Sequence, residues 1–464
     1  MARHYSKKLA MGKYLGKYAS LNTTTKNIHD LEHHKVLIIL KDGTNITDWK
    51  DVADKSQILL IREDLSGYSD MSERYAGLKS VEVIVISGLS DRVANMKGMF
   101  YNCHSLAEIH GLEDSDISGV KDMSYMFYDC WNLEKVPMMD ISSVSDMSFM
   151  FSGCHSLSDI SALAGWDISD VGDITYMFYG CRALRNLSSL KDWDVSDMDN
   201  LEYLFHDCYR LNDISGLKDW DVSNVRNMNG LFSECSDLAD LSALEDWDVS
   251  NVSRMGNMFS SCHDLADLSP LEGWDVSNVN NMYSMFSACY KLCNVSALAG
   301  WDVSGVENMS YMFYRCLNLD DLSGLKDWDV SNVNDMGCMF YECSKLSYLS
   351  PLAGWDVSNV KKMNSMFLEC GALFRLSPLS GWDVSNVVNM ENMFRSCRFL
   401  WYISAVSDWD FSNVAEIRGM FYDCPSIKDE SSLNDGDLPE KLKKEMFDGC
   451  TEKLNLSSLE DLFL

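Results

Sequence analysis

From Cys235 to Cys262 the apolar side chains are Leu238, Leu241, Leu244, Trp247, Val249, Val252, Met255, Met258, Phe259 and Cys262. Val252, Met255, Met258, Phe259 and Cys262 follow one another at steps of 3, 3, 1 and 3. That spacing predicts one face of a short helix. Ser250 and Asn251 stand immediately ahead of it, where an N-cap belongs. The segment from Leu238 to Ser242 is short and leads into a small residue, which predicts a strand followed by a tight turn. The next slot holds only small or turn-forming residues in every copy, such as Ala162, Gly216, Ala243, Pro270 and Pro351. Close packing or a bend is implied there.

This pattern recurs. Tryptophans stand every 27 residues from Trp166 to Trp409, ten copies without an insertion. A fixed period of this size marks a stack in which each repeat is one turn and no turn buries its core alone. About ten inward residues per turn, with Met and Phe as filler, make the core continuous along the stack. The predicted fold is an α/β solenoid of the leucine-rich-repeat plan, built of 27-residue turns. A parallel sheet would line one face and short helices the other. Strand spacing sets its length at about 60–75 Å.

The ends differ from the middle. The apolar runs Val36–Leu40 and Ile58–Ile61 predict degenerate turns that close the stack, and Val81–Ile86 the strand of the first true turn. Glu445 to Cys450 echoes the Met-Phe segment, and the tail LNLSSLEDLFL predicts a terminal cap. The expected organisation is a basic arm over 1–30, an N-terminal cap over 31–90, a solenoid of about 13 turns over 91–424 and a C-terminal cap over 425–464. The arm carries Arg3, Lys7, Lys8, Lys13, Lys17 and Lys26 with almost no acids. It predicts a mobile or self-docked segment, with a membrane or nucleic-acid contact as the other reading.

The net charge of −31 argues against a nucleic-acid partner. No apolar run is long enough for a transmembrane helix. The first twenty residues lack the apolar stretch of a secretory or lipoprotein signal, which on its own predicts the cytoplasm. Fourteen of the sixteen cysteines fall one per turn, from Cys103 to Cys450. That placement predicts buried free thiols rather than bridges. No CxxC pair occurs, so a zinc site of the usual spacing is not supported.

The elements VxxMxxMFxxCxxLxxLS and DVSNV, from Met96 to about Cys424, resemble the BspA-like leucine-rich-repeat surface proteins of bacteria. Here a Trp precedes the Asp of each DVSNV element, and the period is 27 residues. The resemblance implies a leucine-rich-repeat fold and a cell-surface, adhesion or host-interaction role.

The acids after each Trp, from Asp167 to Asp410, would stack about 5 Å apart and repel by up to ~3 kcal/mol per pair. Two offsets are open. The side chains can bond backbone N–H groups two or three residues on, or a row of calcium ions can neutralise them. No glycine-rich calcium loop is present. No GxSxG, P-loop, GxGxxG or HExxH motif occurs either, so the chain reads as non-enzymatic, with no catalytic residues and no required cofactor. Trp247, Asp248, Ser250, Met258, Phe259 and Cys262 represent the structural ladders.

The copies differ most at the fourth and fifth positions past the ladder cysteine. Most are small or acidic, as in Asn212–Asp213, Ala239–Asp240 and Asp320–Asp321. The last three are Ser347–Tyr348, Phe374–Arg375 and Trp401–Tyr402. With Arg398 nearby in sequence, these predict an outward aromatic and arginine patch of hot-spot residue types. Its partner is expected to be a protein or a glycan; a capping interface under the C-terminal tail is the other reading. The leading expectation is a binding scaffold at a bacterial surface or towards a host. An intracellular scaffold or effector comes second, and a calcium-stabilised structural array third.

Overall fold

The computed structural model describes residues 58–428, together with 36–40, 45, 46, 48, 51, 55 and 444–447. The expected arm over 1–30 and the LNLSSLEDLFL tail lie outside the described residues. The chain divides into two units, Met1–Val171 and Gly172–Leu464.

The first unit carries a sheet of β1 (Val36–Leu40), β2 (Asn45–Ile46), β3 (Ile58–Asp64), β4 (Val83–Ser87) and β5 (Glu108–His110), in the order β2-β1-β3-β4-β5. Strands β3, β4 and β5 are parallel, as successive turns of one coil must be. Strand β1 runs antiparallel to both β2 and β3, so the Val36–Leu40 run is not a degenerate turn. It returns along the first coil and pairs the strand edge that the solenoid would leave open. In the same unit Tyr75, Phe100, Phe127 and Phe151 form one buried stack with ring centroids 5.7, 5.2 and 5.4 Å apart. The Tyr75 hydroxyl donates to the buried Glu63 carboxylate at 2.7 Å, and Arg74 pairs with the same carboxylate.

The second unit is a leucine-rich-repeat solenoid in which the motif Trp, Asn and Cys bond to a neighbouring coil and the Asp bonds within its own. Trp247 is 4% exposed, and its Nε1 donates to the Leu217 carbonyl at 3.0 Å. The same bond recurs at each Trp from Trp220 to Trp409. Asp248 Oδ1 accepts the Ser250 N–H at 3.0 Å, and the Ser250 carbonyl accepts Asn278 Nδ2 at 2.7 Å. Cys262 Sγ donates to the Phe232 carbonyl at 3.2 Å. Met258, Phe259 and Cys262 are wholly buried, and Phe259 stacks on Phe286 at 5.8 Å. Burying one such side chain is worth about 1.5–3 kcal/mol, and the gain repeats in every coil.

Two local expectations need correction. The Met-Phe segment is not a helix, so Ser250 and Asn251 do not cap one. Met255, Asn257, Phe259 and Ser261 send their N–H groups to the next coil, onto the carbonyls of Asn281, Tyr283, Met285 and Ser287 at 3.1, 2.7, 3.0 and 2.6 Å. The alternate residues Met258, Ser260 and Cys262 close four-residue β-turns within the coil, onto the carbonyls of Met255, Asn257 and Phe259. Asn257 and Ser261 lie in the left-handed region, at φ 57° and 60°. An α-helix would keep all these bonds inside one segment. A stack instead gains by sharing half of them, and apolar steps of 3, 3, 1 and 3 suit either arrangement.

The strand after the cysteine shrinks in this unit to single bridges, such as Asn186↔Asp213, Asn294↔Asp321 and Arg375↔Tyr402. The short helices are 3-10 turns that occupy the expected bend, as at Ser215–Leu217 and Ser242–Leu244. The slot is small because the coils nearly touch: a Cβ added at Gly216 would lie 2.0 Å from the Leu187 carbonyl oxygen.

Candidate partner-binding site

The fifth position past each ladder cysteine sits two residues before the serine that opens the 3-10 turn. Its usual occupant is an acid with a structural task. Asp213, Asp240, Asp267 and Asp321 accept the N–H of Ser215, Ser242, Ser269 and Ser323 on Oδ1, at 3.0, 2.9, 2.8 and 2.8 Å. This Asx turn satisfies a donor that the short helix leaves over. Asn294 accepts from the Ser296 hydroxyl at 2.9 Å.

In three successive coils the position holds Tyr348, Arg375 and Tyr402 instead, ahead of Ser350, Ser377 and Ser404. None of these side chains can accept as a carboxylate does. Pro351 and Pro378 enter the turn behind the first two and preset its φ. The rings stand out from the surface: Tyr348 is 56% exposed, Tyr402 49% and Trp401 40%. Tyr348 meets Phe374 edge to face at 5.9 Å and 87°. The Arg375 guanidinium lies over Phe374, 4.9 Å from its centroid. Trp401 follows in the next coil, its N–H donating to the Phe374 carbonyl at 2.9 Å. Lys428 comes one coil later, with its N–H on the Trp401 carbonyl at 3.1 Å and its ammonium 4.0 Å from the Trp401 ring centre. Tyr348, Phe374, Arg375, Trp401 and Tyr402 thus form one continuous surface. Arg398 pairs instead with Asp423 at 3.4 Å.

Sequence reasoning missed Lys428, which occupies the fourth position of its coil and extends the row of Phe374 and Trp401. It also missed aromatic rows on the outer side of the Met-Phe segment. In the first unit His104 stacks on Trp131 at 3.7 Å, and Trp131 on His155 at 5.9 Å. In the second, Tyr176 stacks on Tyr203 and Tyr179 on His206. Their signal was the 27-residue spacing of Tyr176 with Tyr203 and of Tyr179 with His206, and the place of His104, Trp131 and His155 directly after a ladder cysteine.

The Asp row after the Trp has its own local partners. Bonds from the Ser196, Ser277 and Ser304 hydroxyls and amides hold the carboxyls of Asp194, Asp275 and Asp302 below their usual range. Among the described residues no three His, Cys, Asp or Glu come together to hold a metal ion. Burial pushes the Cys316 thiol up to about 12 and raises Cys262 as well, which suits packing rather than nucleophilic chemistry. Among the described residues no helix is long and apolar enough to cross a membrane.

The chain is similar in fold to several bacterial leucine-rich-repeat structures. A protein from Bacteroides ovatus shares 16% identity over 77% of this chain and 80% of its own, with a TM-score of 0.35. A leucine-rich cell surface protein from Faecalibacterium prausnitzii shares 15% over 81% of this chain and 92% of its own, with a TM-score of 0.35. A leucine-rich-repeat protein from Eubacterium ventriosum shares 14% over 72% and 82%, with a TM-score of 0.36. No curated protein matches by sequence. One family model matches in six overlapping stretches, at residues 69–186, 94–216, 158–268, 210–321, 290–402 and 318–434. Those stretches cover most of the chain and nearly all of its coils, and the chain therefore belongs to the family described as "Mycoplasma protein of unknown function, DUF285".

Proposed function

We propose that this protein is a non-enzymatic repeat scaffold, displayed at a bacterial surface or towards a host. On this reading it grips a protein or glycan partner with Tyr348, Phe374, Arg375, Trp401, Tyr402 and Lys428. One observation carries the reading. Three neighbouring coils replace a structural Asx acceptor with exposed Tyr, Arg and Tyr. Losing such an acceptor costs about 0.5–2 kcal/mol per site, and the Tyr348 and Tyr402 rings that replace it leave about half their surface in water, where a partner can cover it. Those same residue types dominate binding hot spots. A C-terminal capping interface is the other reading of the patch, and the tail that would supply it lies outside the described residues. Phe447 stacks on Phe421 at 5.3 Å, and the Met446 carbonyl accepts the Phe421 N–H at 3.0 Å, so this stretch continues the Met-Phe ladder.

The test compares the full chain with a Trp401→Ala, Arg375→Ala double variant on arrays of immobilised extracellular proteins and glycans. The wild type should bind a defined subset that the variant loses while its melting curve stays close to the parent. Normal binding by the variant, with several degrees of lost thermal stability, would make the patch a structural cap. Protease shaving of intact producing cells checks the location. Peptides of this chain released before lysis support surface display; peptides seen only after lysis move the partner inside the cell.

A further inference from the structure

The charge of the patch runs opposite to that of the coils before it. The fifth position is Asp159, Asn186, Asp213, Asp240, Asp267, Asn294 and Asp321 in seven successive coils, and then Tyr348, Arg375 and Tyr402. The fourth position changes from Asp320 through Ser347, Phe374 and Trp401 to Lys428. On a chain of net charge −31, the fifth row gains a cation at Arg375 and the fourth row gains one two coils later at Lys428, next to Asp429.

Elsewhere the second unit neutralises many of its cations locally. Arg182 pairs with Asp207 at 2.7 Å, Lys291 with Asp264 at 2.7 Å and Lys362 with Asp335 at 3.0 Å. Arg375 and Lys428 have no carboxylate partner among the described residues and rest on Phe374 and Trp401 instead. A cation held over a ring keeps its outward N–H donors free for an anion.

Resting on the binding role proposed above, we infer that the partner is an acidic peptide segment with two carboxylates flanking an apolar side chain. The spacing follows from the stack. Arg375 and Lys428 lie two coils apart, about 10 Å at the usual inter-strand distance. A peptide in the polyproline II conformation rises about 3.1 Å per residue and returns to the same face every third residue, so the carboxylates belong at positions i and i+3. The apolar residues between them then lie across Phe374 and Trp401. Sugar stacking would need open ring faces. Here a cation covers one face each of Phe374 and Trp401 and the Tyr348 ring stands at 87° to Phe374, so these rings offer less open face to a sugar while the two cations offer N–H donors to an anion.

The experiment titrates the full chain with four probes: capped nonapeptides centred on Glu-Phe-Tyr-Glu, Gln-Phe-Tyr-Gln and Lys-Phe-Tyr-Lys, and a hyaluronan oligosaccharide. The Glu peptide should bind about tenfold tighter than the Gln peptide at low salt, the effect of two exposed ion pairs of somewhat under 1 kcal/mol each. Its affinity should fall as salt rises. An Arg375→Glu, Lys428→Glu double variant should reverse the order and prefer the Lys peptide, a gain that unfolding does not produce. The inference is overturned if hyaluronan binds as tightly as the Glu peptide, if the Glu and Gln peptides bind alike, or if the charge-reversed variant keeps the original order. Should any of these occur while Trp401→Ala with Arg375→Ala still loses the array partners, the binding patch stands and only its acidic ligand falls. Should that variant keep them too, both readings fall.

Discussion

If Tyr402 stands where other coils carry a capping acceptor, the Ser404 turn lacks one, and a pair of substitutions isolates that deficit. Tyr402→Ala and Tyr402→Asn remove the same ring, which is 49% exposed. A tyrosine buries about 150–250 Å² when fully enclosed. Losing roughly half of that at about 25 cal/mol per Å² costs at most ~3 kcal/mol in either variant. The variants differ in one respect: Asn returns the acceptor that Asp213, Asp240, Asp267 and Asp321 provide, at 2.8–3.0 Å from the serine N–H. Capping acceptors are worth about 0.5–2 kcal/mol, and the exposed turn over Ser404–Asp408 belongs at the low end. Tyr402→Asn should therefore be more stable than Tyr402→Ala by about 0.5–1 kcal/mol. Asn is preferred to Asp because a new carboxylate beside Arg375 would add an ion pair. Urea unfolding at neutral pH measures the difference, with unchanged slopes required for the comparison. Hydrogen exchange at the Ser404 amide reads it locally, with about two- to fivefold slower exchange in the Asn variant. Equal stability and equal exchange would show that no acceptor is missing in this coil. The inference that Tyr402 displaced a structural residue would then fail.

Three further outcomes follow from the ladders. Iodoacetamide at pH 8 should label the exposed Cys293 in the native chain and spare Cys262 and Cys316, whose thiols burial raises; rapid native labelling of those two would contradict the packing. Asp194, Asp275 and Asp302 have folded pKa values below their unfolded ones. Their contribution is complete above the unfolded value of about 3.9 and is lost as pH falls through the lower folded values. The urea midpoint should thus drop between pH 5 and pH 3, and a flat profile would remove these bonds from the stability account. Ser261 sits at φ 60°, where a β-branched side chain is strained, so Ser261→Val should cost about 1–2 kcal/mol, whereas Ser261→Gly should cost little or stabilise. Equal midpoints for the two would argue for a helical Met-Phe segment after all.

Much of the architecture was legible because a period needs no geometry to be seen. A Trp and a Cys returning every 27 residues can only stack, and the stack then dictates which side chains are inside. Local conformation was less legible. Val252, Met255, Met258, Phe259 and Cys262 present one face whether the backbone bonds to itself or to the next coil, and only the distribution of N–H groups separates the cases. The antiparallel course of Val36–Leu40 was hidden because an apolar run carries no direction. At the patch, the pairs from Tyr348 to Tyr402 stood out by comparison between copies. Their meaning did not, because the task of the displaced Asp appears only once its Oδ1 is seen on the serine N–H. Lys428 stands four residues past Cys424 and so was readable from the ladder, but it lies beyond the last WDVSN-type element, where the repeat no longer marks the row of pairs.

A chain approaching its end often loses its consensus, and the aromatic coils could be read as simple decay of the repeat. The other ladders argue otherwise. Through the same coils Trp355, Trp382 and Trp409 still donate to Leu325, Leu352 and Leu379 at 2.9, 3.0 and 3.1 Å. Asp356, Asp383 and Asp410 still accept from Ser358, Ser385 and Ser412 at 3.0, 3.0 and 2.9 Å. Cys370, Cys397 and Cys424 still reach the carbonyls of Phe340, Phe367 and Phe394. Even Ser350, Ser377 and Ser404, whose N–H groups have lost their usual acceptor, are retained. Decay would erode these rows together, since nothing protects one from the relaxation that frees another. Instead a single acceptor is given up, always at the position whose side chain faces outward, and its replacements are the residue types that bind. The rest of each coil keeps the backbone rigid beneath them, so that Phe374, Arg375, Trp401 and Tyr402 are held at coil spacing before any partner arrives.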